Sequence, residues 1–293
     1  MDKLISSTRL TNRRSSYFYH IGTFTTLGFV AILPLAIVLY LSLTEYRLGG
    51  SSARLIGLRN YIELFSDNRF SASVLHTLYF VGGSISLEFI LGFGLALLLN
   101  RAVRGTTFYR LVLLVPLMCM PAALSMIWRI MYNRTFGILT HFVTIVGFSP
   151  INWLGSKSMV IPALILVDVW QWTPFVMIIL LAGLQSLPKS CFEAASIAGA
   201  SRMQTFVYIT FPLMRFHIFA AVSLRIILGF KEFDKVWIIT EAGPGFASEL
   251  INVYTYTQAF LYFRFGYGSA IGIAFCVILL VISIFTIKLR GET

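Results

Sequence analysis

Long apolar runs separated by shorter polar ones dominate the chain, and their lengths define its organisation. Six runs reach the roughly 20 residues that a helix needs to cross a bilayer core, at about 21–43, 76–99, 108–132, 159–184, 215–240 and 267–287. They predict an all-α polytopic membrane protein with six transmembrane helices. Pro34 is expected to kink the first span, and Gly82, Gly83, Gly92 and Gly94 in the second point to close helix packing. Pro116 and Pro121 fall inside the third span, where neighbouring helices or water must re-satisfy freed carbonyls. The fourth carries Trp170, Trp172 and Pro174, and the fifth is the least apolar.

The polar segments orient these spans. Residues 1–20 carry Lys3, Arg9, Arg13 and Arg14 against the single acid Asp2, as expected of a cytoplasmic N-terminal segment preceding a membrane domain over 21–293. Arg101, Arg104 and Arg110 crowd the short turn between the second and third spans. The proposed inner segments hold twelve Lys and Arg against seven in the outer ones, which places both termini in the cytoplasm. The four arginines of the first outer segment, 44–75, count against this.

Composition agrees: 57% of the 293 residues are hydrophobic and only 12% charged, about half the charge of a soluble domain. The net charge of +11 comes from basic residues dispersed at the ends of apolar runs, with no dense patch for nucleic acid. Cys119, Cys191 and Cys276 lie in or beside apolar runs without metal-ligand spacing. The first apolar run is too long for a cleavable signal peptide, so it is expected to stay in the mature protein.

One polar, small-residue island stands out between the fourth and fifth spans. Ser190 precedes Glu193, and Ser201 precedes Gln204, by the three residues of a capping box. Gly199 lies between them, where a glycine ends one helix and turns the chain into the next. Two short helices with a bend are predicted. Ala194, Ala195, Ala198 and Ala200 make their surface shallow enough for another protein's backbone to approach.

Glu193-Ala194-Ala195, then Gly199-Ala200, then Ile209-Thr210-Phe211-Pro212 resemble the cytoplasmic docking loop of the membrane subunits of binding-protein-dependent ABC importers. Ala198 stands where that family usually has an acidic residue. The resemblance extends over most of the chain: Asn60-Tyr61, Phe65, Asp67, Phe70 and His76-Thr77 ahead of the shared core, then Trp128, Met131-Tyr132, Gly137, Trp153-Leu154, Pro174-Phe175 and Gly183-Leu184. Phe230, Phe233-Asp234, Thr240 and Gly243-Pro244 continue it, and the Gly-Pro loop with the basic end at Lys288 and Arg290 is most like the first of the two maltose-type permease subunits, a type also represented in glycerol-phosphate importers. Thr140 departs from it near Gly137, where the family often has an asparagine.

The resemblance implies the ABC importer permease fold in the inner membrane. It also implies a second homologous permease subunit, two ATPase subunits that carry ATP and Mg, and an extracytoplasmic solute-binding protein. Within the coupling loop, about 188–213, it implies that Glu193, Ala194, Ala195, Gly199, Ala200, Ile209 and Pro212 couple to the ATPase. Thr240, Gly243 and Pro244 would then face the binding protein. No Gly-x-x-x-x-Gly-Lys-Ser/Thr loop is present, so this chain is not expected to bind ATP itself; as a permease subunit it is expected to hold no cofactor of its own.

Ionisable groups at membrane depth are functional candidates by default. Arg129 and Asp168 lie near the expected span ends, where snorkelling or mutual pairing accounts for them. Glu88 is deeper and either bonds a neighbouring helix or serves transport. Lys231, Glu232, Asp234 and Lys235 mix with Phe230, Phe233 and Trp237 within two expected helical turns. Acids beside aromatic faces suit a sugar, which makes Phe230, Lys231, Glu232, Phe233, Asp234 and Trp237 a substrate-pathway set. The alternative is an internal ion-pair network. A secondary transporter using Glu88 and Asp168 as ion sites is the rival function, although no internal repeat supports it. His20, His76, His141 and His217 are scattered without a catalytic constellation, against an enzyme.

Overall fold

The computed structural model describes residues 25–26, 28–47, 49–50, 53–100 and 105–291. The basic segment 1–20, the start of the first span, and Arg101 and Arg104 lie outside the described residues. In chain order the structure has α1 (Gly28–Ser42), strands β1 (Thr44–Glu45) and β2 (Arg54–Leu55), then α2 (Arg59–Phe65) and α3 (Asn68–Leu99). There follow α4 (Thr106–Met118), α5 (Pro121–Met131), α6 (Ile138–Ile145), α7 (Val160–Ser186) and α8 (Lys189–Ile197). The remainder comprises α9 (Arg202–Thr205), a π-helical turn (Phe206–Thr210), α10 (Phe211–Leu213), α11 (Arg215–Phe230), α12 (Asp234–Thr240), α13 (Ile251–Tyr256), a second π turn (Thr257–Leu261) and α14 (Phe265–Gly291). Among the described residues three helices, α3, α7 and α14, are long and apolar enough to cross a membrane unbroken. Two bent pairs and the shorter α1 fall on the other three expected spans.

The described chain divides into two compact units. One holds the residues up to Ser66 with Thr255–Phe275. In it β1 and β2 form a minimal antiparallel hairpin, pairing Thr44 with Leu55 and Glu45 with Arg54. The Asn60 amide nitrogen donates to the carbonyls of Ser42 at 2.8 Å and Thr44 at 2.9 Å. This buried side chain thereby closes the end of α1, where the last carbonyls lack helical partners.

The second unit, Asp67–Tyr254 with the chain from Cys276 onward, is built on the packing of α3 against α7. Its apolar core joins Phe93 and Ala96 of α3 to Met177, Leu180 and Leu184 of α7, with Met214 and Ala221 added from the segment entering and forming α11. A Cβ on Gly92 would meet the Met177 backbone nitrogen at 3.1 Å, so this glycine permits the approach. Gly82 and Gly94 face open space and do not share that role. Leu78, Leu87, Ile90 and Leu91 are exposed on α3, as befits a surface whose solvent is lipid.

Several expected boundaries move. The second membrane helix starts at Asn68 rather than near 76, because Asp67 caps it through the amides of Arg69 and Phe70. The third span is not one helix: α4 and α5 meet at 92°. Pro121 holds the first position of α5, and Cys119 and Met120 before it are extended, the conformation a following proline favours. The fifth span also breaks. Its approach helix, Arg202–Leu213, meets α11 at 64°. Helix α11 then stops at Phe230, with Lys231 to Phe233 outside any helix before α12.

Candidate functional site

The loop leaving α7 is two short helices around a sharp turn. Ser190 and Glu193 form no capping box. Pro188 occupies the N-cap of α8 without a side-chain bond, so Ser190 already lies in the first turn. At the other end Gly199 takes φ +73°. Its amide donates to the Ser196 carbonyl at 3.1 Å, and the Ala200 amide donates to the Ala195 carbonyl at 3.0 Å. This is the paired reversal that closes a helix through a left-handed residue. The next helix opens with the expected box: the Ser201 Oγ accepts from the Gln204 amide at 3.3 Å, and the Gln204 Oε1 accepts from the Ser201 amide at 2.8 Å.

This handle exposes Glu193, Ala194, Gly199 and Pro212, while Ala200 and Ile209 are half-buried. Ala195 is turned inward and buried, so it fixes α8 instead of presenting surface. Ile197 at 90% exposure, Tyr208 at 75% and Met203 at 69% carry the apolar surface of the loop. Sequence reading passes over them, because isolated apolar residues in a polar island give no periodic signal. Beneath the handle lies a cavity of about 1170 Å³, lined among others by Leu184, Lys189, Glu193, Ser196, Arg202 and Phe206.

A second constellation ties four segments together inside the protein. Arg225 of α11 donates from Nε to Glu88 Oε2 at 2.5 Å and from Nη2 to Glu88 Oε1 and Asp168 Oδ2, both at 2.7 Å. Lys235 of α12 donates to Asp168 Oδ1 and to Gln171 Oε1, the latter at 2.9 Å. Its Nζ also pairs with Glu232 Oε2 at 3.0 Å. Trp172 covers both cations, with its ring centre 4.8 Å from the Arg225 guanidinium and 5.9 Å from Lys235 Nζ. Three carboxylates thus share two cations in the interior of the chain.

The expected pathway set is therefore divided. Phe230 is buried and Glu232 belongs to the ion cluster, whereas Lys231 and Asp234 are exposed. Phe233 and Trp237 stack at 6.2 Å with ring planes only 9° apart. The four charges do not ride two continuous helical turns. They straddle the break between α11 and α12, where Asn252 donates to the Phe230 carbonyl at 2.7 Å and the Glu232 carbonyl at 3.2 Å. Irregular backbone at membrane depth needs such a partner, and nothing local in the sequence marks Asn252 for it. Arg129 and Asp168 do not pair with each other: Arg129 bonds Glu241 Oε1 at 2.8 Å and the Ile238 carbonyl at 2.9 Å. Asp168 is wholly buried within α7, so snorkelling does not explain it.

On the side where α12 ends, the chain turns through Glu241 and Ala242, both with positive φ, and a cis Gly243–Pro244 bond. The buried Ser248 hydroxyl bonds Thr240 Oγ1 at 2.8 Å and donates to the Gly243 carbonyl at 2.6 Å. Arg69 then pairs with the buried Glu249 at 2.6 Å and lies 3.5 Å from the Phe246 ring centre. Thr240, Gly243 and Pro244 are thus held in one fixed loop, with Gly245 and Phe246 exposed beside them. Thr140, the departure near Gly137, is buried and donates to the Asn133 carbonyl at 3.2 Å.

Residues 88–289 match the family described as "Binding-protein-dependent transport system inner membrane component". The chain is 34% identical over 290 residues to the trehalose/maltose transport system permease protein MalF of Thermococcus litoralis, covering 98% of this chain and 97% of that one. It is 36% identical over 253 residues to the probable ABC transporter permease protein y4oQ of Sinorhizobium fredii, covering 86% and 82%. The fold matches a solved bacterial ABC transporter involved in the import of the acidic polysaccharide alginate, with TM-score 0.80 at 20% identity over 97% of this chain and 99% of that one. With its helices, its bent handle and these relatives, the chain belongs to the binding-protein-dependent transport family: it is a multi-pass inner-membrane permease subunit of an ABC transporter, not itself an enzyme.

Proposed function

We propose that this subunit forms half of an import pathway for a sugar or sugar-like solute, and that ATP-driven motion reaches it through the handle around Gly199. The carrying observation is that Glu193, Ile197, Met203 and Tyr208 project from a conformationally fixed helix pair without burial in their own chain. Apolar side chains exposed so fully between two membrane helices suit contact with a second protein. In this proposal the assembly adds a second homologous permease subunit, two ATPase subunits holding ATP and Mg²⁺, and an extracytoplasmic solute-binding protein facing the Thr240–Pro244 loop, a partnership that membership of the binding-protein-dependent transport family supports. Both termini then lie in the cytoplasm.

Because Gly199 and the Ser201–Gln204 box fix the angle of the handle, movement of a docked ATPase displaces α8 and α9 together. The displacement passes to the foot of α7 and through the π turn to α11. Only a difference in coupling between the outward and inward states shifts their populations. The carbohydrate assignment draws on the trehalose/maltose relative and on a 30% identical xylose/arabinose import permease of Haloferax volcanii. The stacked Phe233 and Trp237 beside exposed Asp234 offer an apolar face with a hydroxyl acceptor.

Uptake of labelled di- and monosaccharides into proteoliposomes holding the assembled importer tests this reading. Asp234→Ala and Trp237→Ala are expected to lower ATP-driven uptake about tenfold, the equivalent of roughly 1.4 kcal/mol. Uptake unchanged in both, or driven by an ion gradient without ATP, overturns it.

A further inference from the structure

A cavity of about 160 Å³ lies in the smaller unit, between the hairpin, α2 and the start of α14. Arg47, Arg59 and Arg264 line it, with Glu45 and Glu63. Arg264 is committed: its Nη2 donates to Glu63 Oε1 at 2.5 Å, and its guanidinium sits 4.4 Å from the Tyr267 ring centre. Arg47 and Arg59 have no carboxylate partner among the described residues, leaving Glu45 as the one unpaired acid of the lining. The lining carries three guanidinium groups against two carboxylates, a net charge of +1.

The helix that bears Arg59 and Glu63 is amphipathic in an unusual sense. Asn60 and Leu64 form its buried face. On the opposite face Leu58, Ile62 and Phe65, spaced i, i+4 and i+7, are 64%, 68% and 83% exposed. The pocket residues Arg59 and Glu63 occupy the edge between the two faces. Leu55 on the hairpin, and Tyr262 and Phe263 just before α14, are exposed as well. All of these lie where α1 ends and α14 begins, a level that falls at the boundary of the bilayer when both helices are taken as membrane spans. An apolar stripe turned away from the fold at this level suits a helix lying in the interface with its stripe among acyl chains. Aromatic residues at the entrance of a span favour the same depth.

We infer that the Arg47–Arg59–Arg264 cavity is a binding site for the phosphodiester headgroup of an anionic phospholipid, whose acyl chains lie along Leu58, Ile62 and Phe65. A phosphodiester carries one negative charge, which matches the net charge of the lining. Guanidinium groups present paired donors to phosphate oxygens, and the apolar stripe gives the tails a place that free phosphate does not use. The inference uses the membrane placement of α1 and α14 and is independent of the solute and of the handle.

The test uses the assembled importer in lipid nanodiscs containing a photoactivatable phosphatidylglycerol, with labelled peptides identified by mass spectrometry. Labelling within 53–66 is expected in the natural protein, to persist under excess inorganic phosphate, and to exceed labelling by the phosphatidylcholine analogue. Arg47→Gln/Arg59→Gln is expected to lower it about tenfold through loss of charge-assisted bonds, and Arg47→Lys/Arg59→Lys to recover most of it. Leu58→Ser/Ile62→Ser is expected to lower it too, while transport continues. Equal labelling in the Gln variant, or equal labelling by both lipids, overturns the inference. Displacement by inorganic phosphate identifies a free-anion site instead, and crosslinks from Ile62→Cys to the second permease or to the binding protein identify a protein interface; either overturns the lipid assignment.

Discussion

Arg225 holds Glu88 in a two-point grip, Nε to Oε2 at 2.5 Å and Nη2 to Oε1 at 2.7 Å, with the two side chains 1% and 0% exposed. Desolvating such a pair is costly, and removing one partner strands the other. Glu88→Leu or Arg225→Leu is therefore expected to destabilise the protein by about 3–5 kcal/mol. The double variant Glu88→Leu/Arg225→Leu should recover much of that, because Asp168 keeps Lys235. Thermal unfolding of the detergent-solubilised complex measures both; a double variant no better than the worse single one would show that the grip does more than balance charge.

The break after α11 depends on one amide. Asn252→Ala removes the donor to the Phe230 and Glu232 carbonyls, and leaving such groups unpaired costs about 1–3 kcal/mol. Faster amide hydrogen exchange across 231–234 is expected without general unfolding. Exchange unchanged there would mean that Asn252 does not hold the break.

The two helix starts of the handle are expected to respond differently. Ser201→Ala destroys the box with Gln204 and should cost about 1 kcal/mol. Ser190→Ala should stay within about 0.5 kcal/mol, as for an ordinary surface position. Differential scanning of the purified variants separates them, and a larger loss at Ser190 would contradict the geometry of α8.

Glycines of the second membrane helix divide in the same way. At Gly92 a side chain would press on the Met177 backbone nitrogen and the Val176 side chain, each at 3.1 Å, whereas at Gly94 it meets open space. Gly92→Val is expected to destabilise by about 1–3 kcal/mol through overpacking, with Gly94→Val nearly neutral in the same unfolding assay.

These contrasts mark how far the sequence is readable. Span number and the bend at Gly199 are legible because apolar run length and a Ser-x-x-Gln box are local signals. The family resemblance reaches the handle for the same reason: its residues are contiguous. The break at Met120 was written in Pro121, but a proline inside an apolar run also fits a continuous kinked helix. Asp168 lies inside the apolar run of α7, and its pairing with Arg225 and Lys235, 57 and 67 residues away, has no local trace. Asn252 is invisible for the same reason. At Gly82 and Gly94 composition alone suggested packing, and only the direction of each helix face decides.

The most direct test is a crosslink from Ile197, the most exposed apolar residue of the handle. In the assembled importer, with Cys119, Cys191 and Cys276 replaced by serine, Ile197→Cys should crosslink to the ATP-hydrolysing subunit, and the yield should change between the nucleotide-free and ATP-trapped states. A crosslink that never reaches that subunit, or a residue 197 labelled only from outside the cell, would contradict the account.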